Sequence, residues 1–383
     1  MEGGPGYQQS GPSAARWQLG SMLTRLVPMG VVLLGLLPTC LGAQVVRGEV
    51  MDSLGGRPLG SVMIVLLDSA GVEHGKDLSD ALGRFVLRAD GPGDFFMRTR
   101  VVGYRRWESL TFNLARGQTI VRRIDLVLVP IVLPELTVEA ERTCVVRPEE
   151  GLAAATLWDE VRTALELTQL TIDERRYRFR TQLTTHEFNQ YKVPISVETR
   201  QGVGYTAMGF GSASAEDLQR HGFVRSAGAG PVYFGPDAQV LVSDVFLDHH
   251  CFRVRRGDRG GAVGLTFEPV SRSDVPDVEG TLWVDSATMN LKSLDWGYTE
   301  LSRWAKLGDP GGAMDFGRLP NGAWFIERWE LRAPVGRVII GRADTTYYGV
   351  KIREGRVTEV LTSAGELVVQ LDSTGLVRDT VRR

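Results

Sequence analysis

Residues 278–298, VEGTLWVDSATMNLKSLDWGY, decide the fold class of the larger part of the chain. Apolar and polar side chains alternate on both sides of a short polar segment, residues 285–288, where a turn is expected. Leu294, Trp296 and Tyr298 would then share one face, because successive side chains of a strand point to opposite sides of a sheet. The stretch predicts an antiparallel β-hairpin with one face in a hydrophobic core.

Two further hairpins are predicted on the C-terminal side. Residues 312–335 contain the turn sequence Pro320-Asn321-Gly322 between alternating strands. Residues 345–362 alternate in the same way, and Glu354-Gly355 is the expected turn. The region after residue 278 is therefore predicted to be a meander of antiparallel strands.

The region before residue 278 is less regular. Residues 176–188 and 238–254 have the composition and alternation of strands. Residues 200–236 are rich in glycine and predict a loop, with a short helix at SAEDLQRHG.

One long helix is predicted ahead of these strands. Residues 153–170, AAATLWDEVRTALELTQL, place apolar side chains at helical spacing, and this stripe should lie against a sheet. Residues 153–362 are thus expected to form a helix-plus-curved antiparallel sheet domain, followed by a polar tail, residues 363–383. The hairpin EGTLWVDSATMNLKSLDW resembles the recurring hairpin of periplasmic lipoprotein-carrier-like folds. The apolar positions of the helix are Ala154, Leu157, Trp158, Val161, Ala164 and Leu165.

Residues 45–130 form a separate unit in this interpretation. About seven short strands separated by glycine-rich turns predict a small β-sandwich. The segments VVRGEVMDSLGGRPLGSVMIVLLD, SDALGRFVLRA, VVGYRRW and RIDLVLVP resemble the carboxypeptidase regulatory-like domain. The resemblance implies a transthyretin-like sandwich of the starch-binding-like class, attached in other proteins to metallocarboxypeptidases and to TonB-dependent receptors. Residues 131–152 are predicted to be a linker to the second domain.

The N-terminal 43 residues have the layout of a secretory signal peptide. Arg25 precedes an uncharged apolar run, residues 26–37, and Ala43 provides a small residue at the expected cleavage site. Met22 is a candidate for the true start. The alternatives are an uncleaved anchor and a lipoprotein modified at Cys40, although Thr39 is bulky for the position before a lipidated cysteine.

Two cysteines, Cys144 and Cys251, would remain after cleavage at Ala43. An even pair in an exported protein predicts a disulfide bond. The bond would close a loop of about 107 residues, for which the chain-entropy model gives about 4–5 kcal/mol of stabilisation.

Cys251 also ends the sequence Asp248-His249-His250-Cys251, which suggests a metal site. On a strand, His249 and His250 would point to opposite faces, so one ion could not readily bind both. His186 or His221 could supply a further ligand, but no spacing favours either. We therefore expect an edge-facing histidine pair beside a structural cysteine, with no metal and no other cofactor.

No catalytic motif is predicted. None of the five histidines is followed three residues later by Glu, as the zinc pair of carboxypeptidases would require. GFGSAS, residues 209–214, lacks the closing glycine of the Gly-x-Ser-x-Gly turn of serine hydrolases.

The tryptophans of the C-terminal half are the candidate binding residues. Five of them fall within 47 residues, and two interpretations stay open: packing in the sheet core, or an aromatic concavity for an apolar or glycan ligand, helped by Arg328. The five are Trp283, Trp296, Trp304, Trp324 and Trp329.

The sequence as a whole predicts a non-enzymatic binding or assembly protein, secreted to the periplasm or outer-membrane face of a Gram-negative-type bacterium. Expected partners are an envelope protein, a glycan or a lipid-like ligand, with membrane contact only through the signal peptide or such a partner. The formal net charge of -2 gives no basic surface for nucleic acid. The alternatives are an envelope hydrolase with its site at residues 209–214, and a purely structural envelope component.

Overall fold

The computed structural model describes residues 44–128, 144–148, 152–227, 230–257, 261–271, 273–338, 345–372 and 377–378. The predicted signal peptide and most of the predicted linker lie outside the described residues.

The N-terminal part is a β-sandwich of seven strands, as predicted. One sheet has the order β4-β1-β7 and the other has the order β3-β2-β5-β6. Side chains such as Val46, Ile64, Phe85 and Met97 fill the space between the two sheets. The strands are β1 (Gln44–Asp52), β2 (Met63–Asp68), β3 (Glu73–Leu78), β4 (Arg84–Ala89), β5 (Gly93–Arg100), β6 (Phe112–Leu114) and β7 (Thr119–Leu126).

The predicted long helix is α1 (Leu152–Asp173). All six apolar positions that define its stripe are buried. Among the described residues after α1 there are four short helices, and only the first of them was expected. Ser214 caps this first helix by accepting a hydrogen bond from the Asp217 N–H. They are α2 (Ala215–His221), α3 (Ala238–Leu241), α4 (Asp244–His249) and α5 (Arg303–Lys306).

A large antiparallel sheet packs against α1. Its strand order is β10-β9-β19-β18-β17-β16-β15-β14-β13-β8, and β20 and β21 extend it beside β19. A separate hairpin, β11 (Val224–Ala227) with β12 (Gly230–Tyr233), lies outside this sheet. The strands are β8 (Val145–Val146), β9 (Tyr177–Asn189), β10 (Pro194–Gly204), β13 (His250–Arg256), β14 (Ala262–Pro269), β15 (Val278–Asp285), β16 (Leu291–Tyr298), β17 (Gly311–Arg318), β18 (Trp324–Val338), β19 (Thr345–Thr362), β20 (Leu367–Leu371) and β21 (Val377–Arg378).

The hairpins β15–β16 and β17–β18 turn where the sequence predicted. The third predicted turn is wrong, because Glu354 and Gly355 lie inside the continuous strand β19. Gly355 is needed for a different reason: a Cβ at this position would lie 2.5 Å from Cε2 of Trp329 on the neighbouring strand.

Three other predictions need correction. Most of the strand predicted for residues 238–254 is helical, since α3 and α4 occupy it up to His249. The glycine-rich region 200–236 contains the end of β10 and the β11–β12 hairpin. Part of the predicted polar tail belongs to the sheet, because β20 pairs with β19 and buries Val369 and Leu371.

The sandwich and the sheet domain share hydrophobic contacts. Met63, Val65, Leu67 and Val102 of the sandwich belong to the larger core that contains α1, and the described residues form one compact unit. Ion pairs lie beside these contacts, joining Arg100 to Glu166 (2.5 Å), Arg106 to Asp159 (2.9 Å) and Asp77 to Arg176 (2.5 Å).

The predicted disulfide bond between Cys144 and Cys251 is confirmed, with 5.5 Å between the Cα atoms. It fastens the segment around β8 to β13, with which β8 also pairs. Among the described helices, none has the length and apolar character needed to cross a membrane.

Candidate functional site

The five candidate tryptophans do not line one concavity. Trp296, Trp324 and Trp329 are at most 4% exposed and belong to the core between the sheet and α1. Trp304 lies on α5 and is half-buried against Gly336. Of the two interpretations left open by the sequence, packing describes these four side chains, and Trp296 also contributes to the lining of a groove on the other side of the sheet.

Trp329 shows how tightly the core residues are held. Its indole Nε1 donates a hydrogen bond to the carbonyl of Ala207 (2.7 Å), and its ring packs edge-on against Phe210. Both partners lie in the predicted glycine-rich loop. Trp329 thus fixes this loop over the inner face of the sheet.

Trp283 is different, because it lies on the face of the sheet opposite α1. Its neighbours in β15, Leu282 and Val284, are buried in the core, so alternation directs Trp283 to the other side. The ring lies over Gly264 of β14, where a Cβ would be 2.9 Å from the indole. This glycine lets the half-exposed indole lie close to the sheet.

Two polar side chains hold the indole in place. Its Nε1 donates a hydrogen bond to Asp295 Oδ2 (2.8 Å), and the guanidinium of Arg255 lies 5.8 Å from the ring centroid. The ring therefore has a fixed position among polar groups.

The register of the sheet places Trp283 in a continuous polar surface, which we call the open face. Directly paired residues form two neighbouring rows across nine strands, from β13 to β10. The first row is Arg253, Thr266, Thr281, Asp295, Ala313, Glu330, Glu354, Thr184 and Thr199. The second row is Arg255, Gly264, Trp283, Ser293, Asp315, Arg328, Arg356, Gln182 and Gln201.

A shallow groove of about 820 Å³ runs along part of the open face. Trp283 is not among its lining residues, but it contacts two of them, Asp295 and Arg255. It is lined by residues of β13 to β18, and its charged groups largely balance. Arg253 pairs with Glu268 (2.7 Å), while Glu279 has no ion-pair partner among the described residues. The other polar lining residues are Arg255, Thr266, Thr281, Asp295, Glu330 and Arg332.

Arg328, the predicted polar partner of the tryptophans, also lies on the open face. It shares the second row with Trp283, three strands away, which corresponds to about 14 Å. Burial raises the pKa of the neighbouring Asp315; Arg328, 3.5 Å away, opposes this, and Asp295 adds to it. A smaller hollow of about 250 Å³ lies between Arg328, Glu354 and Arg356.

A second kind of cavity, of about 410 Å³, lies between the sandwich and α1. Its floor is apolar and includes Met63, Val65 and Leu165, and its rim carries Arg100 and Glu166, which pair with each other. An apolar ligand would suit this cavity better than the open face.

The Asp-His-His-Cys sequence has a structural role. His249 ends α4 and His250 begins β13, so the two are not neighbours on one strand as predicted. His250 is 1% exposed, not edge-facing, with Nδ1 2.9 Å from the Phe246 carbonyl and Nε2 3.2 Å from the Val278 carbonyl. Cys144 and Cys251 lie near Glu268, but their sulfur atoms are joined to each other.

The segment proposed for the alternative hydrolase is also tied to packing. Ser214 caps α2, and the hydroxyl of Ser212 is buried. Arg353 donates a hydrogen bond to the Gly209 carbonyl (2.6 Å). These contacts fix the segment onto the sheet.

The sequence interpretation missed most of the open face. Thr266, Thr281, Asp295 and Glu330 come from four strands, and only the register brings them into one row. For Trp283 a signal was present, because it alternates with Leu282 and Val284. Alternation alone would have assigned it to the solvent side.

Comparisons with known proteins assign no family. No protein-family model and no curated protein matches the chain. A likeness to the Bacillus anthracis TIE protein has a TM-score of 0.20 at 12% identity, and it covers 42% of this chain and 25% of that one.

Two other solved structures overlap more of the chain. One is described as a "putative carbohydrate binding protein" from Bacteroides uniformis (TM-score 0.20, 8% identity, 80% of this chain and 94% of that one). The other is BcpA, the major pilin subunit of Bacillus cereus (TM-score 0.18, 11% identity, 88% of this chain and 92% of that one). Likenesses this slight carry no function over to this chain.

Proposed function

We propose that the protein is a non-enzymatic carbohydrate-binding protein of the bacterial envelope, and that it holds a neutral glycan on the open face. The observation that carries the proposal is Trp283, a half-exposed indole that is held by Asp295 and Arg255, two side chains that line a broad polar groove. An indole presents an apolar surface with one polar atom, which suits the mixed character of a sugar ring.

The groove offers the hydrogen-bonding groups that sugar hydroxyls need. Thr281 can donate and accept, while Thr266, whose hydroxyl donates to the Arg253 carbonyl (3.2 Å), can accept. Asp295 and Glu279 accept, and Arg255 donates. The groove is open and shallow, so an extended chain fits it better than a compact molecule that must be enclosed.

The balance of charges favours a neutral glycan over an acidic one. The groove is lined by Arg253, Arg255 and Arg332 and by four carboxylates, those of Glu268, Glu279, Asp295 and Glu330. The small excess of negative charge would repel uronic acids or phosphates. The polar lining also disfavours the apolar ligand considered from the sequence.

Export to the envelope is part of the proposal. The disulfide bond between Cys144 and Cys251 supports it, because such bonds persist in oxidising compartments. The signal-peptide pattern of residues 1–43 supports it independently.

A binding experiment tests the proposal. The purified protein is applied to immobilised neutral and acidic oligosaccharides, and the affinity of any neutral ligand is compared for wild type, Trp283→Ala and Trp304→Ala. We expect Trp283→Ala to weaken binding at least about tenfold, since it removes the stacking surface. Trp304→Ala is the matched control, because Trp304 is half-buried on α5, and it should bind like wild type. Absence of neutral-glycan binding, or equal affinity of Trp283→Ala and wild type, would overturn the proposal.

A further inference from the structure

Strand β10 is an unprotected edge of the large sheet. It pairs with β9 on one side, and among the described residues no strand pairs with its other side. Ile195, Val197 and Val203 are 54%, 59% and 41% exposed. A long edge strand with exposed apolar side chains is a template for the addition of another strand.

The backbone of β10 is oriented for such an addition. Asn189 of β9 donates its N–H to the Val193 carbonyl (3.0 Å), so the odd-numbered residues of β9 bond towards β10. Glu187 pairs with Ser196, and Thr185 pairs with Glu198. A β-bulge at Ile195 precedes these pairs. From Ser196 onward the even-numbered residues of β10 therefore bond to β9, and the N–H and C=O groups of the odd-numbered ones point away from the sheet. The strand's proline, Pro194, is at its start, outside the segment that would pair.

The side chains of β10 are complementary to a second copy of the same strand. We propose that β10 pairs antiparallel with β10 of a second copy of this chain, about a twofold axis through Thr199. Glu198 of each copy then lies opposite Arg200 of the other. Opposite charges that face each other across strands stabilise pairing.

Charge repulsion disfavours the two adjacent registers, in which the twofold axis passes through residue 198 or residue 200. A twofold axis through residue 198 would place Glu198 opposite Glu198, and one through residue 200 would place Arg200 opposite Arg200. In the single chain, Arg200 and Glu198 contact each other at 3.0 Å and both are exposed. Each would gain a second partner in the dimer without leaving the first.

The dimer would have a functional consequence. A twofold axis perpendicular to the sheet keeps both open faces on the same side of one continuous sheet. Two binding surfaces on one side allow a long or repetitive ligand to engage both copies at once. The pairing itself does not depend on the proposed carbohydrate binding.

Charge reversal tests the register. Sedimentation velocity over a concentration series would measure the dimer dissociation constant of wild type, Glu198→Arg, Arg200→Glu and the double variant. Either single reversal places like charges opposite each other twice, so the dissociation constant should rise about tenfold or more. The double variant restores opposite charges and should dimerise like wild type. A mixture of the two single variants should form heterodimers.

All of these positions are exposed, so the variants should keep the circular dichroism spectrum and melting temperature of wild type. The proposal is overturned if the wild-type protein is monomeric up to its solubility limit. It is equally overturned if the single reversals dimerise as tightly as wild type, because dimerisation would then use another surface.

Discussion

The five tryptophans between residues 283 and 329 have different roles, and burial separates them. Trp329 is anchored by a hydrogen bond to Ala207 and fits against a strand that has glycine at residue 355. Trp283 lies on the other side of the same sheet, over Gly264. In both cases the absence of a side chain at a glycine on the neighbouring strand makes room for the indole. The position of each ring therefore depends on that glycine.

Replacement of Gly355 tests this arrangement. In Gly355→Ala the new methyl group would overlap the Trp329 indole, so we expect the free energy of unfolding to fall by about 1–3 kcal/mol. Gly202→Ala on β10 is the matched control, because no atom lies within 4 Å of the added Cβ, and its effect should stay within about 0.5 kcal/mol. Urea denaturation measures both; equal effects would show that Gly355 does not accommodate Trp329.

At the scale of elements, the contact between the sandwich and α1 is sensitive to pH. Glu160 of α1 accepts a hydrogen bond from the Gly103 N–H (3.1 Å) at the base of the sandwich. Burial raises the pKa of Glu160 to about 7; this hydrogen bond opposes the rise, and Asp159 adds to it. Because the folded-state pKa lies above the ordinary value of 4.5, the protonated form is favoured in the folded protein. The contribution of Glu160 to the free energy of unfolding is greatest below pH 4.5 and is lost as the pH rises through about 7.

The variant Glu160→Gln should therefore be more stable than wild type above pH 7. The amide removes the cost of a buried charge and can still accept the Gly103 hydrogen bond, so we expect a gain of roughly 1–2 kcal/mol at pH 8, after allowance for partial solvent exposure. Melting temperatures from pH 5 to pH 8 measure the gain, which should vanish towards pH 5.

Glu166→Gln is the control on the same helix. Its carboxylate pairs with Arg100 (2.5 Å) and Arg162 (2.8 Å), so loss of its charge should lower stability at pH 8. If Glu160→Gln also lowered stability at pH 8, burial of the ionised Glu160 carboxylate would not destabilise the folded protein.

The elements illustrate what local sequence can and cannot predict. The alternation around residues 285–288 and the Asn321-Gly322 turn predicted two hairpins, because both signals are local. Gly355 carried the same kind of signal but serves a contact with a residue 26 positions earlier. His249 was misplaced because α4 is a single capped turn whose apolar residues also fit a strand.

The open face could not be predicted at this scale. Its rows join residues as distant as Thr184 and Glu354, and a shift of one residue in any strand would exchange the two faces. Trp283 could be assigned to the solvent side by alternation, but its neighbours Arg255 and Asp295 depend on the register of two other strands.

At the scale of the whole molecule, the disulfide bond and the shared core join parts that are distant in sequence. Cys144 precedes α1, and Cys251 lies on β13 after 107 residues. A crosslink that closes so long a loop restricts the unfolded chain strongly.

Reduction should therefore lower the melting temperature. The chain-entropy model gives a loss of about 4–5 kcal/mol as an upper value, which corresponds to a shift of several degrees. Calorimetry with and without a reducing agent measures the shift. A double variant, Cys144→Ser with Cys251→Ser, should melt at the temperature of the reduced wild type and should not respond to the reducing agent. An unchanged midpoint on reduction of the wild type would count against a stabilising bond.

The proposed function requires the open face to act as a carbohydrate-binding surface, and oxidation of tryptophans measures this directly. N-bromosuccinimide is added to the folded protein with and without a bound neutral oligosaccharide, and mass spectrometry locates the oxidised side chains. We predict that Trp283 is oxidised in the free protein and protected by the oligosaccharide, while the buried Trp296, Trp324 and Trp329 react in neither state. A bound oligosaccharide that leaves the oxidation of Trp283 unchanged would contradict the account.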